Sequence, residues 1–96
     1  MGITSPSAFT RIPTRAIGDS RLTHAELRVL GAICRYADNV TCEAYPRVDT
    51  IKEAAGVSLN RVRAAIRKLE ELRYIDVVER RGCEGGQRSN VYCVLF

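Results

Sequence analysis

Between Asp49 and Leu72 the chain reads DTIKEAAGVSLNRVRAAIRKLEEL, and this stretch dictates two helices joined by a tight turn. Gly56 falls where the first helix must end and the chain must swing, a position that favours a residue free to take positive φ. Ser58 stands at the N-cap of the next helix, where its hydroxyl can accept a hydrogen bond from an otherwise unpaired backbone N–H. Beyond it Val62, Ile66, Leu69 and Leu72 recur at spacings of four, three and three, with Ala65 beside them, so they share one apolar face. The preceding helix is expected from Val48 to about Ala55, with Ile51 and Ala55 packing against that face.

The opposite side of the longer helix carries Asn60, Arg63, Ala64 and Arg67, flanked by Arg61 and Lys68. From Leu59 to Lys68 there are four cations and no acid, a charge equal to the formal net charge of the whole chain, +4. A basic helix face beside a tight turn is the electrostatic footprint of a DNA-reading helix. The plainer reading, a solvated face of an amphipathic helix, predicts the same composition without a partner.

The 96 residues are enough for one domain, and 46% apolar content can form its core without metal or disulfide staples. A pI near 9.1 agrees with a polyanionic partner. No apolar run approaches the roughly 20 residues that span a bilayer, and the N-terminus lacks the regions of a secretory signal, so a cytoplasmic, nucleoid-associated protein is expected. Pro6 stands where a myristoylation signal would need Ser or Thr, and no lipid anchor is expected.

Cys34, Cys42, Cys83 and Cys93 have long, irregular gaps with no C-x-x-C pair, and reduced thiols are expected rather than zinc or disulfides. Cys34 fits an apolar helix position and Cys93 an edge or core strand position. Cys83 lies in a Gly-rich loop beside arginines, either an incidental exposed thiol or one with a lowered pKa. One histidine, no metal-spaced cluster and no paired nucleophile and base leave an enzyme without footing, and no cofactor or small-molecule ligand is expected.

Residues 1–20 read as a partly extended N-terminal arm, in which Phe9, Ile12 and Ile17 lie on the domain while Arg11 and Arg15 either reach phosphates or stay solvated. Thr23 and Glu26 are spaced as a capping box, with Leu22 and Leu27 as a hydrophobic staple, so a helix should run from His24 to about Ala37. Its buried stripe is Leu27, Leu30, Cys34 and Ala37, with Ile33 alongside, and His24 is an exposed first-turn residue. The connector from Asp38 to Pro46 has room for a short strand. After Leu72 the period becomes alternating: Tyr74–Arg81 reads as a strand, Gly82–Gln87 as a loop, and Ser89–Phe96 as a second strand with Tyr92, Val94 and Phe96 on one face. Arg80, Arg81 and Arg88 cluster at the tip of this β-hairpin.

The pattern Phe9-x-x-Ile12-Pro13, Arg21-Leu22-Thr23-x-x-Glu26-Leu27, Ala44-Tyr45-Pro46, Gly56-Val57-Ser58, Leu69-Glu70-x-Leu72-x-x-Ile75 and Ser89-Asn90-x-Tyr92 resembles the winged helix-turn-helix domains of bacterial, phage and plasmid regulators and replication initiators. The fold that this implies is α+β, mainly α, a three-helix bundle plus a C-terminal β-hairpin wing, spanning residues 21–96. Three positions depart from the family pattern: Arg47 where Ser often caps the second helix, Lys52 where Ala often packs, and Arg73-Tyr74 where a Gly usually precedes the hairpin isoleucine.

The expected function is sequence-specific binding of double-stranded DNA, most simply as a repressor-like transcriptional regulator. The alternatives are the DNA-binding domain of a replication initiator, or a winged-helix protein-interaction module that does not bind DNA. Leu59, Asn60, Arg63, Ala64 and Arg67 are the base-contact candidates, because amide and guanidinium forks match adenine and guanine edges and small apolar groups match thymine methyls. Arg47, Ser58, Arg61, Lys68, Arg80, Arg81, Gln87 and Arg88 are assigned to phosphates or the minor groove. Pairing of two copies on a two-fold operator is a possible arrangement.

Overall fold

The computed structural model describes residues 10–79 and 90–96, with the element order α1 (Thr14–Ile17), α2 (His24–Arg35), β1 (Glu43–Ala44), α3 (Val48–Ala55), α4 (Leu59–Glu71), β2 (Ile75–Glu79) and β3 (Asn90–Val94). The expectations about Phe9, Arg80, Arg81, Cys83, Gln87 and Arg88 therefore lie outside the described residues. The mainly helical chain with a small antiparallel sheet is a winged helix-turn-helix architecture.

Helix α2 starts at His24 because Thr23 and Glu26 exchange caps: the Glu26 N–H donates to Thr23 Oγ1 at 3.2 Å and the Thr23 N–H to Glu26 Oε1 at 3.0 Å. Leu22 and Leu27 both pack half-buried against the core. The helix ends at Arg35, before the expected Ala37, and the N–H groups of Tyr36 and Ala37 bond to the carbonyls of Ile33 and Cys34 in a tightened last turn. Its buried arc is wider than the predicted stripe, since Val29 and Ala32 join Leu30, Ile33 and Cys34. The cause is tertiary: α2 touches α3, α4 and β3 together. Burial pushes the Cys34 thiol up to about 12.

The segment before α2 corrects one expectation. Instead of lying extended through Ile17, the chain makes one helical turn after Pro13, with the Ala16 N–H bonded to the Pro13 carbonyl at 3.0 Å. That turn changes which side chain faces inward: Ala16 is 1% exposed and Ile17 is 66% exposed. Ile12 keeps its predicted place against the core.

The connector holds the short strand β1, and the sheet order is β1-β3-β2, all antiparallel. Ala44 and Val77 flank Tyr92, and Ile75 pairs with Val94, which puts this set on the face toward the helices. The next register position places Glu43 and Asp76 on either side of Cys93, which therefore sits on the central strand facing outward. Tyr92 and Val94 are buried as expected, but Phe96 is not: it lies past the end of β3, 50% exposed, with the Arg11 guanidinium 4.6 Å from its ring centroid.

Candidate nucleic-acid interface

The turn between α3 and α4 forms as its residue chemistry dictates. Gly56 adopts φ 71° and ψ 34°, and its N–H bonds to the Lys52 carbonyl at 2.9 Å. A Cβ there would meet nothing within 4 Å, so glycine is needed for its backbone angle and not for a close approach. Ser58 is extended, and its hydroxyl accepts from the Arg61 N–H at 3.3 Å. Ile51 and Ala55 of α3 and Val62, Ala65 and Leu69 of α4 are all buried, while Ile66 and Leu72 pack half-buried beside them. This packing fixes the angle of α4 and leaves its other side outward.

That outer side presents Asn60, Arg61, Arg63, Ala64 and Arg67 as exposed residues, with Leu59 and Lys68 half-buried at its margins. Asn60, Arg63, Ala64 and Arg67 are three or four apart and form one row along the helix. The first turn of α4 has no acidic side chain, so the positive end of the helix dipole stands unneutralised next to Ser58. Among the described residues, the side chains of Arg61, Arg63, Arg67 and Lys68 take part in no hydrogen bond, ion pair or ring contact. Within the described residues the fold gives these four charged groups no partner.

The three departures from the family pattern each resolve. Arg47 is the N-cap of α3, in extended backbone with no side-chain cap, and its exposed side chain lies at the start of that helix. An uncapped start of this kind costs about 1 kcal/mol relative to Ser. Lys52 is half-buried at that position. Arg73 takes φ 66°, the left-handed conformation that a glycine would hold. Around it the Arg73 N–H bonds to the Glu70 carbonyl at 3.1 Å and the Tyr74 N–H to the Leu69 carbonyl at 2.9 Å, a Schellman closure of α4.

Sequence reasoning left Arg11 and Arg15 open to phosphate or solvent, and the structure gives both another place. Arg11 lies over Phe96, and Arg15 stacks 4.1 Å from the centroid of Tyr74 while its Nη2 donates to the carbonyls of Arg73 at 2.7 Å and Leu95 at 3.3 Å. The Tyr74 hydroxyl donates to Asp19 Oδ2 at 2.6 Å, and Arg21 grips the same carboxylate through Nε and Nη2. The Arg21 guanidinium first, and then the Tyr74 hydroxyl, hold the Asp19 carboxyl well below the usual carboxylate range. No local spacing signals this cluster, because Arg15 and Asp19 lie more than 50 residues from Arg73 and Tyr74.

A short helix, a positive-φ turn, a capped second helix with an outward basic row and a following antiparallel hairpin define a helix-turn-helix protein of the winged type. The chain belongs to the helix-turn-helix domain family, whose model matches residues 20–75. The match ends at the first residue of β2, so it spans α2, α3 and α4 and leaves the hairpin to the structure alone. No curated protein and no solved structure matches the chain. A helix-turn-helix domain points to DNA as partner and to regulation as broad role. Among the described residues no helix is long and apolar enough to cross a membrane, and no group of His, Cys, Asp or Glu is arranged to hold a metal ion.

Proposed function

We propose that this chain binds double-stranded DNA sequence-specifically and serves as a repressor-like transcriptional regulator. The observation that carries the reading is the row on α4: four cations whose side chains have no partner among the described residues, beside a helix N-terminus with no acid in its first turn, on the helix that a helix-turn-helix offers to the major groove. Asn60, Arg63 and Arg67 read base edges, with Leu59 and Ala64 against thymine methyls. Ser58 and the first turn of α4 seat a phosphate. Arg47, Arg61 and Lys68, together with Arg80, Arg81, Gln87 and Arg88, which fall in sequence between β2 and β3, hold the backbone or the minor groove and supply salt-dependent affinity.

Selecting bound sequences from a random duplex pool at two salt concentrations tests the reading. A specific reader enriches one motif that persists at the higher salt. On that motif Arg63→Ala should cost about 1–3 kcal/mol and relax one base position, whereas Arg61→Ala should weaken all sequences alike. Uniform loss in both variants would refute the division between reading and anchoring residues, and failure to enrich any motif would refute specific recognition.

A further inference from the structure

The junction between α4 and the hairpin has an unusual construction. Arg73, the residue through which the chain leaves α4, holds positive φ, and the next residue, Tyr74, starts the path into β2. Rotation about these two residues would swing both strands relative to α4. Three segments meet there: the end of α4 at Arg73, the approach to β2 at Tyr74, and the exit from β3 at Leu95, whose N–H bonds to the Tyr74 carbonyl at 2.9 Å. One side chain from α1 holds all three. Arg15 covers the Tyr74 ring and donates to the carbonyls of Arg73 and Leu95, while Asp19, just after α1, takes the Tyr74 hydroxyl.

We infer that Arg15 and Asp19 are positioning residues that set the angle between the recognition helix and the hairpin, so the segment before α2 takes part in DNA recognition without touching DNA. The inference rests on the reading of α4 as the DNA-contacting helix. Its physical basis is that a planar guanidinium can stack on a ring and donate to two carbonyls at once, which a lysine ammonium on a flexible stem cannot do with the same geometry. The hairpin carries Arg80, Arg81 and Arg88 in sequence between its strands. On the proposed function those cations meet phosphates, so a hairpin set at another angle would weaken that contact while α4 kept its base contacts.

The test uses the full chain with Arg15→Lys, which keeps the charge, and Tyr74→Phe, which keeps the ring and removes only the hydroxyl. Each is titrated by fluorescence anisotropy against the selected duplex over a series of salt concentrations, well below the melting temperature, with circular dichroism to confirm folding. Both variants should bind about tenfold more weakly, with the slope of log affinity against log salt reduced by about one and the selected base motif unchanged. Parent-like affinity and slope in both would overturn the inference, leaving the cluster a matter of stability alone. Full rescue of slope by lysine would overturn it as well, since charge alone would then suffice. If the parent chain binds no duplex, the DNA reading fails and the inference fails with it, which parent binding distinguishes from failure of the clamp alone. Should Arg15→Lys unfold, Tyr74→Phe decides the matter by the same measurements.

Discussion

Replacing Arg73 with glycine should stabilise the protein relative to replacing it with alanine, and the comparison isolates the cost of a left-handed residue at the end of α4. Arg73 sits at φ 66° with an exposed side chain, and its backbone carbonyl accepts from Arg15. An L-residue in this conformation carries about 1–2 kcal/mol of crowding between Cβ and the following carbonyl. Glycine removes that crowding but gains freedom in the unfolded chain worth about 0.5–1 kcal/mol in the other direction. A positive charge at a helix C-terminus contributes a further 0.3–1 kcal/mol or so, which both substitutions lose. Arg73→Ala should therefore be less stable than the parent by the charge contribution alone, and Arg73→Gly more stable than Arg73→Ala by about 1 kcal/mol. Differential scanning calorimetry would read this as about 4–8 °C in Tm for a domain of this size. Because Arg15 bonds the carbonyl and not the side chain, neither variant breaks the clamp. If Arg73→Gly melts no higher than Arg73→Ala, the left-handed cost is not borne there and the reasoning is refuted.

Other perturbations address capping and pH. Ser58→Ala should lower stability by about 1 kcal/mol, since the Arg61 N–H loses its acceptor, and should weaken duplex binding through a less ordered first turn of α4; urea titration and anisotropy check the two effects. Asp19 has a folded-state pKa held below its ordinary 3.8, so its stabilisation is complete above that value and is lost as pH falls through and below it. The parent should lose Tm on acidification below about pH 4 more steeply than Asp19→Asn; parallel curves would show that the Asp19 cluster adds nothing to acid stability.

Much of the architecture is legible along the chain because it is decided within a few residues of itself. Thr23 and Glu26 cap one another three residues apart, Gly56 and Ser58 end one helix and start the next through their own backbone and hydroxyl, and the 3.6-residue period of Val62, Ala65 and Leu69 fixes which side of α4 is core. By subtraction it also fixes the side that carries Asn60, Arg63 and Arg67. The remaining features depend on partners far away in sequence. Ala16 rather than Ile17 is buried, Phe96 leaves the core for Arg11, and β3 takes the centre of the sheet between β1 and β2. Arg15 spends its guanidinium on Arg73 and Leu95, 58 and 80 residues on. Arg15, which stacks on a ring, and Arg63, whose side chain has no partner among the described residues, are the same residue type. Only the folded arrangement of acceptors tells them apart, since hydrogen bonds and ring contacts are satisfied in space and not along the sequence.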